Sequence, residues 1–491
     1  MKKIIFCLLA LCVHGLSIAQ DVETKLSLGS RDPKPDYCEY SPLDGGLVMM
    51  GQMSLNSSRL IGITKYDSTF KRQWVREIIE LNPRKQVEFM VVIGENILAF
   101  ASEYFPKEKV IKTYFYKINL AGKTLASEEL LAVYPNQIEQ RVMLGYKMSP
   151  NKRKLLIYKN LENRRQNEQL LYYIFDETGS LYQNGELKFK YPDDKFNITD
   201  LQISNAGTFF VMGKFYEQSN VKTPKDYKFI MFRQKLGEIA ATEIPIEAGL
   251  KFISNLAFRI DRDENIYVAG FYSNKGVDRV IGTIFQKINA NDEVETDVTQ
   301  LFSEAFLAKF LTNSQIEKGK ELTNFYMHND PNDHGIILRS DGGVLLAAER
   351  FYITTQSYRD YYGIYTSRDI YHYDEIILTS ISPEGKIEWQ EMIDKTQTGE
   401  VKQMLSFANL VGESGIYIMY DYNPRRQDRS IYYHVVDLDG KVTERKALLD
   451  NYQWSNEFYP SQAEQVTNNE MLLKYFGNGG RNLEILKIAL R

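Results

Sequence analysis

A polar tight turn followed by a short apolar strand recurs eight times along the chain, and this recurrence limits the possible folds more than any other feature. Asp44-Gly45-Gly46 leads into LVMMG, Glu95-Asn96 into ILAFAS, Asn151-Lys152-Arg153 into KLLIY, and Asn205-Ala206-Gly207 into TFFVMG. Asp263-Glu264-Asn265 leads into IYVAG, Asp341-Gly342-Gly343 into VLLAA, Glu413-Ser414-Gly415 into IYIMY, and Asn468-Asn469-Glu470 into MLLKY. Gly, Asn and Asp at these places supply the positive φ that tight hairpin turns require.

Between these elements lies a second hairpin: an apolar strand, a turn and a strand with spaced apolar residues, as in IGITKYDSTFKRQW, FYKINLAGKTLASEEL, YYIFDETGSLYQNGEL and LTSISPEGKIEWQEMI. Trp74 and Trp389 stand at nearly the same offset from their turns, which supports one register. With Gly45, Asn96, Asn151, Ala206, Glu264, Gly342, Ser414 and Asn469 as anchors, the spacings are 51, 55, 55, 58, 78, 72 and 55 residues. Two hairpins in each such period predict an all-β chain of four-stranded antiparallel blades, a β-propeller. Eight blades are expected, with seven as the alternative count. Two stacked β-sandwiches would also give frequent turn signals, but not this period. The last unit is one strand short. Val22, Thr24, Leu26 and Leu28 alternate with polar residues and predict that the N-terminal strand completes it, leaving no open sheet edge.

The first residues carry an address. Lys2 and Lys3 precede an apolar run over residues 4–13, and Ser17 and Ala19 hold the small positions of a cleavage site. A secretory signal peptide over residues 1–19, cleaved after Ala19, is expected, with residues 20–491 forming one propeller domain. The apolar run is too short for a stable bilayer anchor, and no other segment has transmembrane length. Cleavage takes Cys7 and Cys12 with it and leaves Cys38, so neither an internal disulfide nor a multi-thiolate zinc site is available. Removal of the two lysines moves the formal charge from −4 to −6, which gives no electrostatic case for nucleic acid.

Both tight turns of the repeat emerge on one face of a propeller. The connections between second and third strands, and between blades, emerge on the other, and these are long: SEYFPKEKVIK, KNLENRRQNEQ, YEQSNVKTPKD and DYNPRRQDRS are examples. Long connections on a rigid scaffold are where binding residues concentrate. The longest is read as a loop over residues 352–374. Its Tyr352, Tyr358, Tyr361, Tyr362, Tyr365, Tyr371 and Tyr373, with Arg359 and Arg368, suit protein or sugar recognition, unless part of the segment extends the blade's hairpin. Arg425 and Arg426 join them as binding candidates on the same face. Residues 301–335 read as an insertion opening with a short helix capped by Ser303. Its stripe of Phe302, Phe306 and Phe310 beside Leu307 and Leu311 either packs on the propeller's own face or serves a partner or a lid.

Catalytic signatures are missing: the chain has no G-x-S-x-G, P-loop or H-E-x-x-H, and no catalytic residue, metal ligand or cofactor is assigned. His328 to His334 and Asp261-x-Asp263-x-Asn265 have calcium-ligand types but lack the closing bidentate Glu or sit at the repeat's turn, so both read as polar turns. His372 and His434 have no evident nucleophile beside them. The stretches DGGVLLAAERF, DENIYVAGFYS and SPEGKIEWQEMI resemble secreted bacterial β-propellers of the SBBP and kelch kind. SPEGKIEW also resembles the tryptophan-docking repeat of pyrroloquinoline-quinone enzymes and of the eight-bladed outer-membrane assembly scaffold. Only Trp74 and Trp389 carry that pattern, so no quinone is expected. The resemblance implies a non-catalytic binding scaffold, periplasmic or at the cell surface, that engages an envelope protein or a glycan as a monomer or as a subunit of a hetero-complex. The alternatives are a propeller hydrolase or lyase acting on polysaccharide, and a structural subunit of an envelope complex.

Overall fold

The computed structural model describes residues 20–27, 34–55, 58–135, 144–161, 166–217, 227–238, 240–249, 251–274, 276, 278–328, 335–359, 361, 363–413, 415–422, 430–449, 457–477 and 482–490. Among these, the strands form eight antiparallel sheets of four or more strands and one two-stranded ribbon, Arg279–Val280 with Leu322–Thr323. The sheets follow the sequence as blades 1 to 7 over residues 34–80, 85–135, 145–192, 196–246, 252–301, 325–393 and 408–449. Blade 8 combines residues 457–490 with the strand Gln20–Ser27, which pairs antiparallel with the C-terminal strand Asn482–Leu490. The chain is therefore a β-propeller of eight blades, closed by its N-terminal strand as the alternation at residues 22–28 predicts.

Period-2 geometry explains how eight sheets become one ring. Successive residues of a strand point to opposite faces, so each blade serves two interfaces at once. In the second strand of blade 1, Gly46–Leu55, Val48 and Met50 pack on blade 2, while Leu47 and Met49 pack on Leu472 and Ile485 of blade 8. The same division recurs around the ring, giving eight apolar clusters, one between each pair of neighbouring blades. Core residues such as Val48, Leu98, Phe210 and Leu346 are fully buried.

The turns show why the polar signals recur. Between third and fourth strands a side-chain oxygen folds the turn by accepting the backbone N–H groups two and four residues on. Asp67 does so for Thr69 and Lys71, Asp176 for Thr178 and Ser180, Asn289 for Asn291 and Glu293, and Asp437 for Asp439 and Lys441. Asp261 acts alike in a first-to-second turn, accepting from the N–H groups of Asp263 and Asn265, with Tyr267 OH on its other oxygen. Its carboxylate builds the turn. The two tryptophans have one role. Trp74 donates from Nε1 to Leu120 O at 2.9 Å and lies over Gly122 in the next blade, and Trp389 repeats this with Leu438 O at 3.1 Å and Gly440. A Cβ at Gly440 would meet the indole at 2.5 Å, so the close approach requires glycine there.

The insertion after blade 5 folds back onto the ring. Ser303 Oγ accepts from Phe306 N and caps the helical turn Glu304–Leu307. Phe302, Phe306 and Leu307 are buried in the cluster between blades 5 and 6, with Phe310 and Leu311 packed against it. The stripe is core of this molecule, and neither a lid nor a free helix. His328, at the end of this region, is buried and stacked on Phe407 at 3.8 Å; residues 329–334 lie outside the described residues.

Candidate functional site

Of the two readings of residues 352–374, a long loop or an extension of the blade's hairpin, the structure shows the extension over most of the segment. The second and third strands of blade 6, Val344–Arg359 and Tyr365–Ile381, stay paired to Arg359↔Tyr365, so the segment is a hairpin arm extending the blade. Alternating side chains and continuous cross-strand pairing explain this: a strand that continues needs no new core if its neighbour continues with it. Its root is fastened. His372 accepts or donates to Thr354 Oγ1 at 2.8 Å and Thr398 Oγ1 at 3.2 Å and stacks on Tyr352 at 4.4 Å. The short strand Gln397–Gly399 pairs with it at Tyr371↔Gly399.

The predicted binding residues separate along this arm. Tyr373 is buried against Phe351, and Tyr352 and Tyr371 are half-buried at the root, so these three belong to the arm's foundation. Tyr358, Tyr361 and Tyr365 are exposed, at 48%, 98% and 77%, and Ile353 and Ile364 beside them at 49% and 61%. Arg368 lies over the Tyr358 ring at 5.6 Å and pairs with Glu400, while Arg359 lies over Tyr365 at 5.7 Å and donates to Gly363 O. The arginines thus hold the tyrosines in place across the hairpin. Tyr362, Arg425 and Arg426 lie outside the described residues.

A second site, unmarked in the sequence, lines the axis. The first strands of blades 1 and 2, 3 and 4, 4 and 5, and 5 and 6 lie against one another around the axis. One tier of these strands is set by register: Glu39 opposite Val48, Val91 opposite Leu98, Lys147 opposite Leu156, Gln202 opposite Phe210, Arg259 opposite Tyr267, and Glu464 opposite Leu472. Two charged groups result: Glu39 with Glu464 on blades 1 and 8, and Lys147 with Asp200 and Arg259 on blades 3, 4 and 5. Tyr146 OH on blade 3 donates to Glu39 Oε1 on blade 1 at 3.2 Å, passing blade 2. Burial, and then the charge of Glu464, pushes the Glu39 carboxyl up to about 7 against the pull of Lys474 and Lys152. Lys474 donates to Cys38 O at 3.0 Å, and burial pushes the Cys38 thiol up to about 11, favouring its neutral form. Between the neighbouring blades 3 and 4, Lys147 pairs with Asp200 at 3.6 Å; burial lowers the lysine and raises the aspartate. These residues are separated by up to 436 positions and share no motif.

Other features are structural or peripheral. His434 is held between Tyr420 OH and Thr443 O, and burial lowers its pKa. A half-open groove of about 560 Å³ at the rim between blades 5 and 6 is lined by Gln300, Phe306, Lys309 and Trp389. Among the described residues no cluster of three or more His, Cys, Asp or Glu is placed to hold a metal ion, and no helix is long and apolar enough to cross a membrane.

No family model matches the chain, and no curated protein matches it. Solved structures do. The β-propeller domain of the Trilobed protease from Pyrococcus furiosus is 11% identical, with a TM-score of 0.34, over 86% of this chain and 97% of that one. Synechocystis apocarotenoid oxygenase is 11% identical, with a TM-score of 0.32, over 93% and 94%. Puromycin hydrolase is 11% identical, with a TM-score of 0.34, over 80% of this chain; the match spans about half of that protein, 51%. The likeness is one of propeller architecture alone.

Proposed function

We propose that this chain is an exported, non-catalytic binding scaffold that engages an envelope protein through the blade 6 arm. The observation that carries the reading is the concentration of exposed Ile353, Tyr358, Tyr361, Ile364 and Tyr365 on one projecting hairpin, with Arg359 and Arg368 between them. Rigid aromatic and arginine side chains are the usual anchors of protein interfaces, and large exposed apolar side chains on both faces of a hairpin otherwise only cost solubility. The export part rests on Lys2, Lys3, the apolar run and Ala19, which fit a leader cleaved ahead of the first strand at Gln20 and a periplasmic or cell-surface address.

The test is affinity capture of the tagged mature chain from its native envelope after mild crosslinking, beside a variant carrying Tyr361→Ser, Ile364→Ser and Tyr365→Ser. A reproducible protein lost in the variant supports the reading; equal recovery by both removes the arm from it. A second reading, an enzyme working at the axis, is favoured by one observation, the Glu39 carboxyl held near 7 beside Glu464 and Tyr146. Hydrolysis or elimination of an oligosaccharide that Glu39→Gln abolishes would establish it.

A further inference from the structure

A lysine near the long-loop end of blade 4 makes no ion pair among the described residues. Lys214 lies near the end of the second strand of blade 4, Phe209–Tyr216, continuing the stripe of Phe210 and Met212 that packs on blade 5. Its ammonium sits over the rings of Tyr227 at 4.2 Å and Phe229 at 5.1 Å. Among the described residues, none gives it a hydrogen bond or an ion pair. The corresponding place in blade 6, two residues beyond Leu345 and Ala347, shows what completion looks like: Glu349 pairs with buried Lys395 at 2.5 Å and accepts from Ser406 Oγ. Burial lowers the Lys214 pKa to about 8, and the carboxylate that acts on it, Asp278, accepts instead from Tyr326 OH.

Desolvated charges in folded proteins are paired, so a half-buried ammonium with Asp278 nearby but in no direct ion pair leaves a place for an anion supplied from outside. The surroundings describe the rest of the ligand. Tyr216 meets Tyr227 edge-on at 5.7 Å, Phe252 meets Tyr227 at 4.9 Å, and Tyr216, Phe252 and Tyr326 are half-buried, with ring surface left at the mouth. Asn197, opposite Lys214 in the strand pair, and Thr199 are exposed on the channel strand beside them. Aromatic faces, amide and hydroxyl groups and one ammonium suit a hydroxyl-rich ring bearing a carboxylate.

We infer that the Lys214 recess binds the carboxylate of an acidic sugar, a uronic acid unit of an anionic glycan. This site is separate from the arm, and its test is independent of the arm's partner. Binding of a tetragalacturonate to the mature chain is measured by calorimetry, beside a neutral tetragalactoside and a glutamate-rich peptide, for the native chain, Lys214→Met and Lys214→Arg. The expected result is binding of the acidic sugar alone, weakened about tenfold or more by Lys214→Met and largely kept by Lys214→Arg, with thermal unfolding reporting that both variants fold. In the native chain labelled at lysine, saturating sugar is expected to raise the Lys214 titration midpoint. Equal binding of acidic and neutral sugars, no binding, or unchanged affinity in both variants would overturn the inference, and preference for the peptide would overturn its ligand class.

Discussion

Blades 2 and 6 contain the same central hairpin and end it differently. In blade 2 the strands Asn96–Phe105 and Val110–Asn119 stop where the apolar stripe stops, and Lys112 closes the end by lying over Phe105 at 4.2 Å while pairing with Glu108. In blade 6 the strands are 16 and 17 residues long against 10 and 10, and past Ile370 the added turns expose Tyr358, Tyr361, Ile364 and Tyr365. About six further residues per strand at ~3.3 Å each carry the tip roughly 20 Å beyond a blade 2 hairpin. Ring stability asks for hairpins of the first kind. The second keeps apolar side chains in water, a cost that a monomer has no reason to retain.

If the ring and the arm are separate in this sense, damage to each should have separate effects. The largest effect should follow deletion of residues 20–27. This removes the pairing of Gln20–Ser27 with Asn482–Leu490 and opens blade 8, so hydrogen exchange should accelerate first at Leu472, Leu473 and Leu486, with a marked fall in Tm. An unchanged Tm would mean that the ring closes without its N-terminal strand. Next, Glu349→Ala should cost about 3–5 kcal/mol in urea unfolding, because it strands the fully buried Lys395 ammonium at the root of blade 6.

The axis gives a pH signature that the arm lacks. Glu39 has a folded pKa of about 7, above its unfolded value, so its proton stabilises the fold fully below about pH 4.5, and that contribution disappears as pH rises through 7. The difference in stability between the native chain and Glu39→Gln should therefore change between pH 4.5 and 8 and be flat outside that window; a difference independent of pH would remove Glu39 from the account. Smaller still, Trp74→Phe and Trp389→Phe should each lose about 1 kcal/mol, the worth of one indole hydrogen bond to the next blade, and by similar amounts.

Sequence legibility followed the same division. The ring was readable because its signals are local and repeated: a polar turn with a capping Asp or Asn, an alternating strand, and a period of about 55 residues. Ser303 and the Phe302, Phe306, Phe310 stripe were readable for the same reason. In residues 352–374 the density of tyrosine leaves a loop and an extended hairpin both open, and pairing with an equally long neighbour decides for the hairpin; pairing is a property of two segments and not of one. The channel tier was not readable at all. Glu39 meets Glu464, and Lys147 meets Asp200 and Arg259, only because strands from different blades are neighbours around one axis. Lys214 is equally silent, because a lysine in a strand is notable only once its lack of a partner is seen.

The most direct test of the central claim compares two exposed positions on opposite faces. A photo-crosslinking residue is placed at Tyr361 on the arm or at Leu438, 76% exposed on a short turn of blade 7, and the chain is irradiated in its native envelope. The account predicts a discrete protein adduct from position 361 and none from 438, with Tm unchanged in both. Adducts from 438 alone, or the same adducts from both, would contradict it and place the partner away from the arm.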